Sequence, residues 1–259
     1  MSMAGYPGRA WSDFLAAVQF LTRIPVPARP YEADSLARSV KFFPVVGLLI
    51  GGMGAVVHQL LVPHLSRLVT AFFVLVFLVL VTGGLHEDGL ADAADGFGGG
   101  SSRDRILLIF RDSRIGSYGG AALALSLLGR LLLIASLPLG QVTQYLIASH
   151  VLCRWTTLPL SYFLPSARSQ EAEQKDGLGA RIARLTSSST LLAGTVFSFA
   201  VTAILLRGSA LAAILSAILL SLVTGFYYKR RIDGVTGDCF GATNQLTEIG
   251  IYLCGAWSL

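Results

Sequence analysis

The chain has 259 residues, of which 53% are hydrophobic and only 14% charged, with a formal net charge of +5. A soluble domain carries about 25% charged residues, so the composition excludes an ordinary water-soluble enzyme and points to a polytopic membrane protein of one domain spanning 1–259. The modest positive charge does not suggest nucleic-acid binding. The three cysteines, Cys153, Cys239 and Cys254, form no CxxC pair and read as small apolar fillers.

The first element is "WSDFLAAVQFLTRIPVP". Trp11, Phe14, Leu15, Val18 and Leu21 recur at helical spacing, and Pro25 and Pro27 stop the pattern. The spacing predicts an amphipathic helix over about 11–24, lying on the membrane surface. Asp13, Gln19 and Arg23 break its apolar run, so it is not read as a cleaved signal.

Seven segments then approach the roughly 20 residues a helix needs to cross a bilayer. They begin near Phe43, Leu68, Gly119, Val142, Ser188, Ala210 and Phe240. The expected fold is all-α, a transmembrane bundle of about seven spans plus the interfacial helix. With the N-terminus inside, Arg23, Arg38, Lys41, Arg103, Arg105, Arg111, Arg114, Arg168 and Lys229 to Arg231 face the cytoplasm, while Arg67 and Arg207 face out. This is a strong positive-inside bias. The polar stretch 165–187 reads as a flexible cytoplasmic connector or lid.

After the second span comes "GGLHEDGLADAADGFGGG", residues 83–100. Asp88, Asp92 and Asp95 stand at i, i+4 and i+7, which puts them on one helix face within about 60°. Aligned acids repel unless a counter-ion joins them, and Mg²⁺ favours carboxylate oxygens together with phosphate. A solvated first turn with acids favoured by the helix dipole explains one or two of them. Glu87 and His86 read as supporting groups or a base. Gly96, Gly98, Gly99 and Gly100 would let backbone approach phosphate, or serve a sharp turn. Next, Arg111 and Arg114 flank Asp112; they suit phosphate or positive-inside anchoring.

Farther along, Arg154 reads as a diphosphate contact or an internal ion pair. In "RRIDGVTGDCFGATNQLTEIG", Asp238 precedes a helix that carries Asn244 and Glu248 at i, i+4. Glu248 lies deep in an apolar span, where an ionisable group marks function by default; the alternative is a buried pair with Arg130 or Arg154. Segments 86–118 and 229–248 thus form one cytoplasmic-side site suited to metal-assisted displacement at a diphosphate.

Five stretches carry a family likeness: "FLTRIPVP", "FFPVVGLLIG", "GGLHEDGLADAADGFGGG", "RDSRIGSYG" and "GVTGDCFGATNQLTE". In this order, across nearly the whole chain, they resemble the cobalamin synthase family, adenosylcobinamide-GDP ribazoletransferase. Departures are small: Ala93 and Ala94 stand where members often differ, and Asp233 stands where glycine is common. The resemblance implies the last assembly step of the corrinoid coenzyme. α-Ribazole or its 5′-phosphate attacks adenosylcobinamide-GDP, GMP leaves, and Mg²⁺ is the cofactor. It implies a multi-pass protein of the bacterial inner membrane, surrounded by lipid, and allows a homo-oligomer or association with other cobalamin-pathway enzymes. On this reading Asp88, Asp92 and Asp95 hold Mg²⁺, with Asp238 and Asn244 completing its shell. Asp88, Asp92, Asp238 and Glu248 are the catalytic set. Arg111, Arg114 and Arg154, with Gly96 and Gly99, contact phosphate. Two rivals are another membrane phosphotransferase of CDP-alcohol type and a cation or corrinoid transporter; the bare outer face argues against the transporter.

Overall fold

A computed structural model describes residues 7–26, 38–168 and 186–257. Among these there is no strand, only an isolated parallel bridge between Ser166 and Val235. The helices are α1 (Pro7–Leu21), α2 (Phe43–Leu61), α3 (Arg67–Thr82), α4 (Leu85–Gly99), α5 (Arg103–Ile109), α6 (Ser117–Ser136), α7 (Val142–Trp155), α8 (Thr157–Phe163), α9 (Ser188–Leu206), α10 (Ala210–Ile232) and α11 (Gly237–Trp257). Most of the expected 165–187 connector, residues 169–185, lies outside the described residues.

All seven segments expected to span are helical. Fewer are apolar enough to cross a bilayer on their own: Val40–Leu61, Ser117–Ser136 and the 45-residue run Ser188–Ile232. The bent pair α3–α4 adds a fourth if it counts as one span. The helix from Val142 is only 14 residues long, and it and the Phe240 segment share a physical reason for falling short. Nearly all of α7 is buried, and α11 packs against α4, α6, α7 and α10. Their polar side chains face protein, so these helices need not look apolar.

α1 is amphipathic as expected. Ala17, Val18 and Leu21 are buried while Trp11 is 55% exposed. Asp13 is buried on the inner side, accepting from Arg38 Nε at 3.2 Å and Lys41 Nζ at 3.4 Å. Phe20 stacks on Phe43 with ring centroids 5.7 Å apart. These contacts fasten the surface helix to the start of α2.

Two features set up the site. The chain turns 87° between α3 and α4. The turn uses Gly83 and Gly84 at φ 67° and 71°, a left-handed backbone that glycine adopts without strain. α4 is thereby thrown across the bundle and meets α11 backbone to backbone. A Cβ on Gly89 would lie 3.1 Å from Gly241 Cα, and one on Gly241 would lie 3.0 Å from Gly89 Cα. A Cβ on either would crowd the other's backbone, so the glycine pair suits this close crossing, which brings the 88–95 acids beside Asp238.

α2 packs antiparallel on α7 by the same means. A Cβ on Gly51 would lie 2.6 Å from Leu146 O, and Gly47 lies against the carbonyl of His150. Overpacking a close helix crossing costs ~1–3 kcal/mol. Gly89→Val is therefore expected to lower the thermal midpoint of the detergent-solubilised protein. Gly52→Ala, whose Cβ meets nothing within 4 Å, is expected to leave that midpoint unchanged in the same scan.

Candidate active site

The acids form two layers. At the mouth lie Asp88, Asp92 and Asp238. Asp88 is exposed and Asp92 half-buried, and among the described residues neither has a hydrogen-bond or ion-pair partner. Asp92 feels the charges of Asp88, Asp238 and Asp95, opposed by Arg168. Asp238 accepts from Thr236 Oγ1 at 3.1 Å and lies 3.5 Å from Arg168 Nη2.

Asp95, the third acid of the stripe, has other work. Its Oδ2 accepts from the Gly116 N–H at 2.6 Å and its Oδ1 from the Gly119 N–H at 2.8 Å. It caps the first turn of α6, satisfying N–H groups that have no partner within that helix. The two glycines make room: a Cβ on Gly116 or Gly119 would lie 2.4 or 2.3 Å from the carboxylate oxygens. The helical period put Asp95 on the stripe's face, but nothing in the spacing said that a helix end occupies that face.

Gly96 and Gly99 are helical, so no glycine loop forms there. Gly96 lies flat against the Phe110 ring, where its Cβ would be 2.1 Å away, and Gly98 lies against the Tyr118 ring. A Cβ on Gly99 would meet only Ile109, at 3.5 Å. Ring packing thus accounts for Gly96 and Gly98. Arg111 and Arg114 stand on the exposed loop that leads to Gly116. Arg114 grips Asp112 in a fork, Nε to Oδ1 at 2.9 Å and Nη2 to Oδ2 at 2.6 Å. Its hydrogen bonds hold the Asp112 carboxyl down at about 2.

Beneath the mouth is a buried ionic layer that ties α4, α6, α7 and α11 together. Arg130, 1% exposed, donates from Nη2 to Glu87 Oε1 at 2.9 Å and pairs from Nη1 with Glu248 Oε2 at 3.5 Å. Gln245 Nε2 reaches the same Glu87 oxygen at 3.5 Å, and Ser126 Oγ donates to Gln245 Oε1. Arg154 is equally buried; its Nη1 lies 2.9 Å from His150 Nδ1 and 3.3 Å from Cys153 Sγ. Arg130 thus pairs with both glutamates, while Arg154 in the same layer contacts His150 and Cys153. Glu248 stands ten residues beyond Asp238, about 15 Å along a helix. It belongs to this layer rather than the mouth, as does Arg154. Asn244, between them on α11, is 2% exposed, and its Oδ1 has no partner among the described residues.

Which acids fit a divalent cation? Among the described residues, His150, Cys153 and Glu248 bring donor atoms within 4.8 Å of one another. His150 Nε2 and Glu248 Oε1 face each other at 3.9 Å with no hydrogen-bond partner among the described residues, but arginine N–H groups hold Cys153 Sγ, His150 Nδ1 and Glu248 Oε2, and two guanidinium charges against the trio do not suit a further cation. The mouth aspartates are spaced more widely. Mg²⁺ needs only one or two protein carboxylates and completes its octahedron with water and phosphate, so it does not require all three to converge. Asp88 and Asp92, hard oxygen donors with no other partner, are the best placed.

Sequence reading missed Arg168 at the mouth and the double role of Arg130. Arg168 follows a loop with no motif, and only the fold brings it to Asp238. Arg130 was visible only as one of two candidate partners for Glu248.

A family model described as cobalamin-5-phosphate synthase matches residues 13–256. Relatives named adenosylcobinamide-GDP ribazoletransferase align over nearly the full length of both chains. The protein from Polaromonas sp. is 40% identical, covering 95% of this chain and 97% of the relative. That from Mesorhizobium japonicum is 40% identical over 98% and 96%, and that from Vibrio cholerae is 37% identical over 93% and 91%. No solved structure matches.

The two layers respond differently to substitution. Asp95→Ala removes a helix cap and is expected to destabilise the protein by ~1–2 kcal/mol, whereas Asp92→Asn relieves like-charge crowding and leaves the thermal midpoint unchanged or raised. Arg130→Met strands two buried glutamates and is expected to cost ~3–5 kcal/mol, the largest loss of the three in one denaturation series.

Proposed function

Because the chain belongs to the cobalamin-5-phosphate synthase family, we infer that the aspartate mouth is where its transfer reaction takes place. The activity is that of an adenosylcobinamide-GDP ribazoletransferase, the final step of cobalamin biosynthesis. In the reading proposed here, a hydroxyl oxygen of α-ribazole, or of its 5′-phosphate, bonds to the cobinamide-side phosphorus. The P–O bond to the bridging oxygen breaks, and GMP leaves with the bonding pair. The hydroxyl proton passes to a carboxylate.

The observation that carries this reading is the pair Asp88 and Asp92, acids without an ion-pair or hydrogen-bond partner among the described residues, facing Asp238. Unpaired carboxylates that feel one another's charge are costly unless they serve a cation or a proton. Asp92, half-buried between the other two, is the proposed proton acceptor. Asp88 and Asp238 flank it, with Thr236 orienting Asp238. Mg²⁺, held by Asp88 and Asp92 beside Asp238, would supply neutralisation of diphosphate charge. Arg111 and Arg114, on the loop that runs to the Asp95-capped helix, are the proposed outer phosphate contacts. Glu248 and Arg154 act through the buried layer.

The long apolar helices make this a membrane protein. The proposed setting is the bacterial cytoplasmic membrane, with N-terminus and mouth toward the cytoplasm. Two facts support this orientation. Lys229, Arg230 and Arg231 end α10 just before Asp238. At the opposite end of the bundle, Arg67 donates to the Leu137 carbonyl where α6 stops. The basic end is the end that stays inside.

Asp92→Asn in purified, lipid-embedded protein is expected to cut GMP release ~100-fold or more, the usual contribution of a positioned acid or base. Release near the wild-type rate at limiting Mg²⁺ would remove Asp92 from both the metal and the proton.

A further inference from the structure

The basic run Lys229–Arg231 that ends α10 reads from sequence as a positive-inside anchor, yet its cations do different things. Lys229 pairs with Asp233, and Arg230 is exposed. Arg231 turns back to the end of α4. Its Nη2 donates to Gly100 O at 2.9 Å and to Phe97 O at 3.4 Å, and its Nη1 donates to Tyr227 Oη at 3.0 Å. The last carbonyls of a helix have no partner within it, and a cation suits that end; α4 has no basic residue of its own there. The guanidinium also lies 5.9 Å from the Phe97 ring centroid and 5.6 Å from that of Tyr227. Phe97 in turn stacks on Tyr228, with centroids 5.5 Å apart, and meets Phe110 edge-on. The Tyr228 hydroxyl then reaches the start of α11. It donates to Cys239 O at 3.2 Å and lies 3.1 Å from Thr243 Oγ1. Cys239 is the residue after Asp238.

We propose that Arg231 and Tyr228 are positioning residues of the mouth: together they hold the C-terminal end of α4 against α11 and so set Asp88 and Asp92 opposite Asp238. For its effect on turnover, the inference rests on the mouth being the transfer site. Its geometric basis is a pivot. At Gly89 and Gly241 the two helices cross backbone to backbone, and one crossing point fixes their separation but not the angle between them. Phe97 stands eight residues beyond Gly89, about 12 Å along a helix. A restraint that far from the pivot fixes the angle. The Asp95 cap ties α4 to α6. The tie to α11 at this end runs through α10, by Arg231 on the Gly100 carbonyl and by Phe97 on Tyr228 on the Cys239 carbonyl. Acids from two helices that share one task tolerate little drift, and a misplacement of about 1 Å caused far from the chemistry can cost ~100-fold in rate.

Lipid-embedded wild type should be compared with Arg231→Met, Arg231→Lys, Tyr228→Phe and, as a control from the same basic run, Arg230→Met. The measurements are Mn²⁺ binding, kcat and KM for GMP release, and hydrogen exchange of the 96–100 amides. Arg231→Met is expected to speed exchange at 96–100. It should weaken Mn²⁺ binding and lower kcat, each by ~10- to 100-fold, the span for groups that orient metal ligands, with KM little changed. Arg231→Lys should recover part of both losses, since an ammonium can reach a carbonyl but lacks the planar fork. Tyr228→Phe keeps the stack and loses only the hydroxyl, so it should move the same quantities the same way by less. It also carries the comparison if Arg231→Met does not fold. Arg230→Met should match the wild type. Wild-type Mn²⁺ affinity and kcat in both Arg231→Met and Tyr228→Phe overturn the proposal. So does an equal loss in Arg230→Met, or a loss of kcat that vanishes once rates are divided by the folded fraction. Weaker Mn²⁺ binding with GMP release at the wild-type rate upholds the positioning of the acids and takes the transfer reaction away from the mouth. If the wild type binds no Mn²⁺, the metal reading of the mouth fails, and kcat in the two variants decides alone.

Discussion

Everything at the mouth depends on two helices that touch without side chains between them. Gly89 on α4 and Gly241 on α11 sit so close that either Cβ would press on the other's Cα. The acids of the two motifs are far apart in sequence, and this crossing makes them neighbours. It also explains the neighbouring geometry. α4 can lie across α11 only because the backbone doubles back at Gly83 and Gly84, both left-handed. Once it lies there, Glu87 faces α6, Asp88 and Asp92 face Asp238, and Asp95 reaches the start of α6.

The crossing brings charge into an apolar bundle, and the buried layer is how the fold tolerates it. Glu87 and Glu248 come from the two crossing helices, and Arg130 from a third stands between them. Removing charge from such a layer is worse than never having it, because the remaining ion is stranded. The same layer separates roles that look alike on paper. Glu248 and Asp238 belong to one motif, yet the first is locked into the interior while the second meets the mouth.

The sequence made much of this legible, and the limits are instructive. Hydropathy located the helical segments because lipid imposes it on each helix separately. It counted poorly where α7 and α11 hide behind other helices and no longer need to be apolar. The acidic motif was readable as a helix face, since period alone defines a face. What lies opposite a face is not in the period. Asp95 therefore looked like its neighbours although it binds backbone, and Gly96 looked like a phosphate cradle although it seats Phe110. Arg168 left no local signal at all. Asp233 went the other way: its unusual identity is explained by the fold. It ends α10 at φ 57°, a conformation aspartate tolerates better than most residues, and its carboxylate takes Lys229 Nζ at 2.5 Å.

The Asp95 cap has a consequence for how this chain can vary over generations. The carboxylate occupies the space that side chains at positions 116 and 119 would need, and it accepts from the N–H groups of both. A descendant that gained a side chain at either glycine would evict the carboxylate. One that lost the carboxylate would leave two glycines weakening a helix start for no return. The three positions form a single heritable unit, passed on intact or replaced together.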